Sequence, residues 1–483
     1  MATTLVLDKD RKRTAARLLL PQKVKGRYRS IKTAVATLLL GFYFLMPWIR
    51  WDRGPALPDQ AVLFDLPNRR LFIFGLEFWP QDLPIAVGAL ILGAFALFYA
   101  TTLAGRVWCG FTCPQTVWTD LFNGVDRVCE RLLGRATAAA KALRTGLWIV
   151  IAIVTGFGFT AYFDDAMTLP MKLVTGEAPL GFYITIGVLT MSTWMFAGYA
   201  RERVCLHMCP WPRFQAALLD RDSMVVTYQG WRGEPRGKKK AELRTDLVDL
   251  DALVREAANF DANGRGDCID CFRCVNVCPT GVDIREGLQM GCIGCGLCID
   301  ACNDVMTKVE RPKGLIRFDN ERSEARRSPL PANPNYFRAK SILYALACLT
   351  AAGATAFGIV SMPSVTADID PERNPPFIQL SDGSVRNDYE IRMAHRLRSL
   401  DGVVVTSEGL PGATLRLASQ DVEPADTLVA GVGATRQLSD RLMITVPRDK
   451  VPSSRTPLIV ELRNEATGEV LSRLDTYFWG PQR

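Results

Sequence analysis

The chain has 483 residues, about three times the length of an average domain, so several domains are expected. Hydrophobic residues make up 48% and charged residues 22%, a balance that excludes a disordered or fibrous protein but allows a soluble enzyme or a membrane protein. The formal net charge is +8, and residues 1–30 contribute +7 of it, since nine Lys or Arg face only Asp8 and Asp10. The remaining chain is nearly neutral, which argues against a nucleic-acid partner.

Five stretches without a charged side chain are long enough to cross a membrane: 33–49, 83–105, 145–163, 178–200 and 341–367. About 20 apolar residues span the hydrocarbon layer as a helix, so we expect an α-helical membrane part with five spans. One such stretch alone would equally suit a buried core helix, but five together favour the membrane.

The charge pattern predicts the orientation of these spans. The basic arm, residues 1–30, should remain in the cytoplasm, because positively charged segments are retained there. Its simplest role is to determine topology, and contact with anionic lipid is the alternative. Four spans then return the chain to the cytoplasm for residues 201–340. The fifth span places everything after it outside the cytoplasm.

The predicted domain organisation follows the spans. In chain order we expect a basic cytoplasmic arm (1–30), four membrane helices forming two hairpins (31–200), a cytoplasmic segment (201–340) with a ferredoxin domain at about 260–310, the fifth membrane helix (341–367) and an outer domain (368–483).

Eight of the 14 cysteines form two runs with the spacing C-x2-C-x2-C-x3-C. They are Cys268, Cys271, Cys274 and Cys278, followed by Cys292, Cys295, Cys298 and Cys302. This spacing is typical of bacterial ferredoxins with two [4Fe-4S] clusters, in which the fourth cysteine of each run binds the other cluster. We therefore predict one cluster on the first three cysteines plus Cys302, and a second on Cys292, Cys295, Cys298 and Cys278.

Zinc and disulfides are the alternatives for these runs. Zinc sites use cysteine pairs with longer gaps, and a reducing cytoplasm keeps thiols unpaired, so both fit less well. Gly291, Gly294 and Gly296 should let the backbone approach the cluster sulfurs. The only histidines are His207 and His395, neither within a predicted span, so a membrane haem with two histidine ligands is excluded.

Four further cysteines occur in a repeated C-x3-C-P motif. Each copy follows a predicted membrane hairpin, and the copies contain Cys109 with Cys113 and Cys205 with Cys209. Proline favours the first turn of a helix, so the second cysteine of each copy is predicted to cap a helix, where the helix dipole lowers a thiol's pKa. Thiolates of this kind favour Cu(I), with His207 or Met208 as a further ligand. The alternative is that the cysteines are small residues that pack a turn.

Residues 368–483 contain no cysteine and alternate apolar with polar side chains in short segments punctuated by Pro and Gly. The clearest predicted strands are 414–417, 442–446, 458–462 and 475–478. This pattern indicates an all-β sandwich, which more often binds than catalyses.

Taken together, these motifs make the chain resemble the CcoG/FixG/RdxA family of cytochrome c oxidase accessory proteins, which are membrane polyferredoxins. The resemblance rests on the segments 65–67 and 74–82, both C-x3-C-P copies, the paired ferredoxin runs and the outer domain. It implies a multidomain protein with five membrane spans, a 2[4Fe-4S] ferredoxin domain and a C-terminal immunoglobulin-like sandwich, whose opening strand would be 387–391.

The resemblance also implies a function. The protein would reside in a bacterial inner membrane, with the outer domain in the periplasm, and assist assembly of cbb-type oxidase by reducing Cu(II) to Cu(I). Copper would be its substrate, and Cys109, Cys113, Cys205 and Cys209 would handle the metal. Oxidase subunits and copper transport or chaperone proteins would be its partners. Two alternatives stay open: a quinol-linked polyferredoxin of the nitrate or nitrous oxide respiration type, and a non-catalytic assembly scaffold.

Overall fold

The computed structural model describes residues 21–54, 57–134, 137–237, 265–396, 400, 402–420, 423–432, 437–452 and 455–481. Most of the predicted basic arm and the beginning of the predicted ferredoxin domain, residues 260–264, lie outside the described residues. The described residues group into two compact units. One contains the membrane helices and the cysteine-rich segment, and the other contains the C-terminal sandwich with short pieces of the loop between the first two spans.

The helices of the described chain are α1 (Arg27–Leu45), α2 (Leu83–Ala104), α3 (Pro114–Leu133), α4 (Ala138–Thr160), α5 (Leu169–Thr175), α6 (Leu180–Thr193), α7 (Trp211–Leu218), α8 (Gly230–Gly233), α9 (Arg273–Asn276), α10 (Leu297–Lys308), α11 (Glu321–Ala325) and α12 (Ala339–Val360). Five of these segments, built on α1, α2, α4, α6 and α12, are long and apolar enough to cross a membrane. The five-span prediction is confirmed in this sense.

The strands are β1 (Val62–Asp65), β2 (Arg70–Ile73), β3 (Leu76–Phe78), β4 (Val225–Tyr228), β5 (Ile316–Asp319), β6 (Val365–Pro371), β7 (Ile378–Gln379), β8 (Val385–His395), β9 (Gly402–Glu408), β10 (Thr414–Leu417), β11 (Thr427–Gly431), β12 (Gln437–Val446), β13 (Thr456–Asn464) and β14 (Val470–Phe478). In the first unit, β4 pairs antiparallel with β5, with Val225 opposite Asp319. This pair encloses the cysteine-rich segment in sequence and packs against it, because Val226, Ile316 and Cys274 share one buried apolar cluster.

The fifth span is shorter than predicted. The sequence suggests apolar continuity over 341–367, but the helix ends at Val360 and β6 already begins at Val365. Pro363 explains the difference, because proline cannot donate the helical hydrogen bond and disfavours helical backbone in the residue before it.

The second unit is an antiparallel β-sandwich. Its sheets have the strand orders β10-β12-β8-β6, with β7 also paired to β8, and β11-β9-β13-β14. Alternate residues of β8 point into the core, and the fully buried Tyr389 donates a hydrogen bond to the Tyr477 carbonyl at 3.0 Å. The four predicted strands lie in β10, β12, β13 and β14, but 387–391 is not the opening strand. It lies inside β8, after β6 and β7, because the prediction assigned the β6 residues to the membrane span and its flank.

Candidate functional site: the cysteine-rich segment and the two cysteine pairs

The first predicted cluster site is a cavity. Its walls include all four cysteines assigned to it, Cys268, Cys271, Cys274 and Cys302, and it has about 360 Å³ of empty volume including its opening. Cys302 lies on α10 and interacts electrostatically with the other three, although it is the last cysteine of the other run. The rest of the lining is mostly apolar. Four thiols converging on a largely apolar cavity fit a cubic iron-sulfur cluster.

The second predicted site gathers the other four cysteines. Cys298 interacts electrostatically with Cys295, Cys292 and Cys278, the last of which belongs to the first run. Burial raises the pKa of Cys295 to about 12. A thiol in such surroundings keeps its proton until a metal displaces it, as expected of a ligand in a site that receives its cluster after the chain folds. The structure thus brings each predicted set of four together, and the assignment of individual ligands stays a prediction.

The glycines of the second run have two roles, of which the sequence indicates one. The backbone N–H of Gly294 hydrogen-bonds to Cys292, as predicted for amides near cluster sulfurs. The second role is close packing. Gly294 and Gly296 have φ of +69° and +71°, and a Cβ on them would come within 3.3 Å of the Arg106 backbone and 2.7 Å of the Tyr28 ring. The loop can therefore dock tightly against the membrane helices because it has no side chains at these positions.

The two C-x3-C-P copies repeat one backbone conformation. In each, a residue with positive φ ends the span, Gly105 at +65° and Arg201 at +47°. A π-helical turn follows, Trp108–Thr112 in the first copy and Val204–Met208 in the second, and then a cysteine, a proline and a helix. Such turns are rare and frequently occur at functional sites. The internal duplication seen in the sequence is therefore also a structural one.

Helix capping differs from the prediction in the second copy. Cys113 is the N-cap of α3, as expected, but Pro210 is the N-cap of α7, so Cys209 precedes the cap by one residue. The Pro210 carbonyl accepts the first hydrogen bonds of the helix, from the N–H groups of Arg213 at 3.1 Å and Phe214 at 3.4 Å, so α7 starts one residue after the cysteine.

The four paired cysteines are brought together from positions about a hundred residues apart. Cys109 interacts electrostatically with Cys113, Cys205 and Cys209. Burial raises the pKa of Cys109 to about 12 and that of Cys205 to about 11, so the first cysteine of each copy is a neutral thiol at neutral pH. The helix-dipole argument concerns the second cysteine of each copy, Cys113 and Cys209, and stays a prediction. As the described side chains stand, no three His, Cys, Asp or Glu enclose a position for a single metal ion.

The predicted auxiliary ligands lie at the surface. His207 and Met208 are both exposed within the second π-helical turn. A partner that the sequence did not reveal is Gln215 on α7, which is fully buried. The Cys109 thiol donates a hydrogen bond to the Gln215 Oε1 at 3.0 Å, and the Gln215 side-chain amide donates to the Thr101 hydroxyl at 3.3 Å.

The first copy directly contacts the loop that carries the start of the second cysteine run, residues 290–296, which we call the second cluster loop. A Cβ on Gly110, between the two cysteines, would lie 2.9 Å from the Cys295 Cα, so the two backbones touch. Arg106 donates to the carbonyls of Met290 and Cys292, the latter at 3.0 Å. Cys109, Cys295 and Ile293 belong to one buried apolar cluster. The only sequence signals for this contact are a glycine inside the motif and an arginine before it.

Comparisons with known proteins agree with this geometry. Residues 200–321 match the family model of a 4Fe-4S dicluster domain, residues 86–135 match a 4Fe-4S binding domain, and residues 355–481 match the immunoglobulin-like fold at the C-terminus of FixG. The chain is therefore similar to iron-sulfur proteins over both the cysteine-rich segment and the first cysteine pair.

Three relatives extend the similarity. Protein RdxA of Cereibacter sphaeroides is 41% identical over 93% of this chain and 94% of its own, and the nitrogen fixation protein FixG of Rhizobium meliloti is 37% identical over 90% and 87%. The ferredoxin-type protein NapH of Haemophilus influenzae is 25% identical over 59% of this chain and 87% of its own. The full-length similarity to RdxA and FixG shows that the chain belongs to the FixG/RdxA family of membrane iron-sulfur electron-transfer proteins.

Proposed function

We propose that this protein is a cupric reductase, in which the four cysteines of the two C-x3-C-P copies receive copper and the adjacent cluster loop supplies electrons. The observation that carries the proposal is the backbone contact between Gly110 and Cys295. It places a predicted ligand of the second cluster against the centre of the first cysteine pair. Electrons can reach that pair without crossing the membrane.

The chemistry of the site suits copper reduction. The two [4Fe-4S] clusters would supply single electrons, which is the number needed to convert Cu(II) to Cu(I). Thiols are soft ligands that favour Cu(I), so the product is held more tightly than the substrate, which prefers nitrogen and oxygen ligands. The buried thiol of Cys109 loses its proton only when metal binds, so this thiol is uncharged while the site is empty.

The cellular role follows from the same proposal. The cysteine-rich segment would face the cytoplasm of a bacterium and the C-terminal sandwich its periplasm. Cu(I) released from the cysteine pairs would pass to a copper transporter or chaperone for the copper centre of cbb-type oxidase. The sandwich would contact oxidase subunits.

The test uses anaerobically purified protein with intact clusters, reduced and freed of excess reductant. Cu(I) formed from added Cu(II) is measured with a Cu(I)-specific chromophore in wild type and in the variants Cys109→Ser, Cys205→Ser and Cys271→Ser. Cys348→Ser in α12 is the matched control, because that cysteine belongs to neither pair nor run.

We expect wild type and Cys348→Ser to form one Cu(I) for each stored electron. Cys271→Ser should form less, because a cluster ligand is lost, and the two pair variants should bind Cu(I) weakly. Reduced protein that stays reduced beside Cu(II) would contradict the proposal. Electron transfer to a partner protein without copper would then favour a quinol-linked conduit, and oxidase assembly by the Cys271→Ser variant would favour a scaffold.

A further inference from the structure

A second cavity lies beside the cysteine pairs, with about 690 Å³ of empty volume including its mouth. Cys205 forms part of its wall. Pro279 and Thr280, which follow the predicted cluster ligand Cys278, form another part, as does Ile293 from the second cluster loop. The cavity therefore adjoins both the thiol that would receive copper and the segments that would supply the electron.

The cavity wall carries an excess of positive charge. Five cationic side chains line it, against two acidic ones: Lys23, Arg29, Lys32, Arg127 and Arg201 against Asp120 and Glu202. Asp126, just outside the lining, pairs with Arg201 at 2.6 Å, and the cations still outnumber the acids when it is counted.

The positive charge is only partly neutralised within the cavity. Asp120 accepts from Arg29 at 2.8 Å and lies 3.9 Å from the buried Lys32, so one carboxylate serves two cations. Burial, and then repulsion from Arg29, lowers the pKa of Arg127, which shows that cations crowd one another here. Burial raises the pKa of Glu202, which weakens the second negative charge.

A bare Cu(II) ion is a poor match for such a wall. Like charges repel, and the field of a cleft lined with one sign of charge attracts ligands of the opposite sign.

We propose that copper enters this cavity as a small anionic Cu(II) chelate, such as a polycarboxylate complex, and that the cationic wall selects it over free or cationic copper. This inference rests on the proposed function and names its substrate class. The Cu(II) of the complex takes up one electron from the clusters, and its bonds to the chelator are replaced by bonds to the cysteine sulfurs. The thiols that bind Cu(I) give their protons to the departing chelator or to water.

The test compares Cu(II)–citrate, an anionic complex, with Cu(II)–bis(ethylenediamine), a cationic one. Lys23→Glu reverses an exposed charge on the cavity wall, and Lys25→Glu is the matched control, because Lys25 is equally exposed in the same segment but does not line the cavity. Binding to the oxidised full-length protein is measured by equilibrium dialysis, which needs no electron transfer. On the pre-reduced protein, the half-saturating concentration of the complex and the maximal single-turnover rate are measured by stopped flow.

We expect Lys23→Glu to weaken binding of the citrate complex about tenfold, to raise its half-saturating concentration with the maximal single-turnover rate unchanged, and to leave or improve binding of the ethylenediamine complex. Lys25→Glu and Lys23→Arg should behave as wild type. The preference for citrate should shrink as salt is added, because exposed charges are screened.

Equal effects of Lys23→Glu and Lys25→Glu, or equal binding of both complexes by wild type, would overturn the inference while leaving copper reduction intact. A shifted reduction potential with unchanged citrate binding would assign the cations to the clusters and also overturn it. A third outcome would also overturn the inference: citrate binding that is lost in nanodiscs containing phosphatidylglycerol but retained in nanodiscs of phosphatidylcholine alone. An anionic lipid headgroup would then be the occupant of the cavity. Citrate binding without reduction of either complex would support the inference and refute the proposed function.

Discussion

The two C-x3-C-P copies share a backbone conformation but have different surroundings. In the first, Cys109 is only 8% exposed and the adjacent Gly110 touches the second cluster loop. In the second, Cys205 is half-buried, lines the cationic cavity and is followed by the exposed Leu206, while Cys209 is exposed as well. We therefore propose that the duplicated motif has divided its work, since the first copy faces the second cluster loop and the second copy faces the cationic cavity.

The residue three positions before each first cysteine shows the same divergence. Arg106 in the first copy is buried and donates to backbone carbonyls of the cluster loop. Glu202 in the second copy lines the cavity, and its Oε1 has no hydrogen-bond partner among the described residues. At equivalent positions, the first copy therefore has an arginine that binds a neighbouring loop, and the second copy has a carboxylate that lines a cavity.

The largest predicted effect comes from breaking the contact of the first copy. Gly110→Val places a branched side chain where even a Cβ would lie 2.9 Å from the Cys295 Cα. We expect the cluster loop to separate, at a cost of about 1–3 kcal/mol, and Cu(I) formation to fall to background. Leu206→Val, at the equivalent position of the second copy, should retain most of the activity. Equal loss in both variants would contradict the division of work.

A smaller effect is expected at Arg106. Arg106→Lys keeps the charge but cannot reach the Cys292 and Pro212 carbonyls together, which the guanidinium contacts at 3.0 Å and 3.1 Å. We expect a loss of about 1–3 kcal/mol in the free energy of unfolding and slower oxidation of reduced clusters by copper. Arg203→Lys, at an exposed position of the second copy, is the control. If thermal denaturation and stopped-flow spectroscopy do not distinguish the two variants, the docking role of Arg106 is refuted.

The two copies should also differ in thiol reactivity. Burial raises the pKa of Cys109 to about 12 and that of Cys205 to about 11, so both are protonated at neutral pH and form thiolates only as the pH rises towards those values. Alkylation of copper-free protein by iodoacetamide at pH 8, followed by mass spectrometry, should modify Cys205 faster than Cys109, because Cys109 is the more deeply buried of the two. The reverse order would show that the first copy is the accessible one.

The smallest effect is expected far from both copies, in the sandwich. Tyr389→Phe removes the hydrogen bond to the Tyr477 carbonyl and should lower the free energy of unfolding by about 1 kcal/mol. Copper reduction by the purified protein should not change, because the sandwich supplies none of the cysteines. A parallel loss of stability and reduction would mean that the sandwich takes part in the chemistry.

Local patterns in the sequence predict the features that depend on residues close in sequence, such as cysteine spacing, strands and helix caps. The cysteine spacing predicts both sets of four thiols, and alternation predicts four of the sandwich strands. The proline rule places Cys113 correctly at a helix cap but fails for Cys209, because Pro210 takes the cap position itself. The end of the fifth span is predicted too late, because the apolar residues of the helix are followed closely in sequence by the apolar residues of β6.

Contacts between distant segments could not be predicted. The hydrogen bond from Arg106 to the Cys292 carbonyl joins residues 186 positions apart, and the one between Cys109 and Gln215 joins residues 106 apart. The raised pKa values of Cys109 and Cys205 likewise come from burial created by this packing, which the local motif does not show.

The proposed function requires that electrons pass from the second cluster loop to copper at the cysteine pairs. Freeze-quench EPR tests it most directly, because reduced [4Fe-4S] clusters and Cu(II) both give signals in one sample. After reduced protein is mixed with Cu(II), we expect both signals to decay together with one-to-one stoichiometry, and Cys109→Ser to slow this decay. Persistence of both signals in wild type would contradict it.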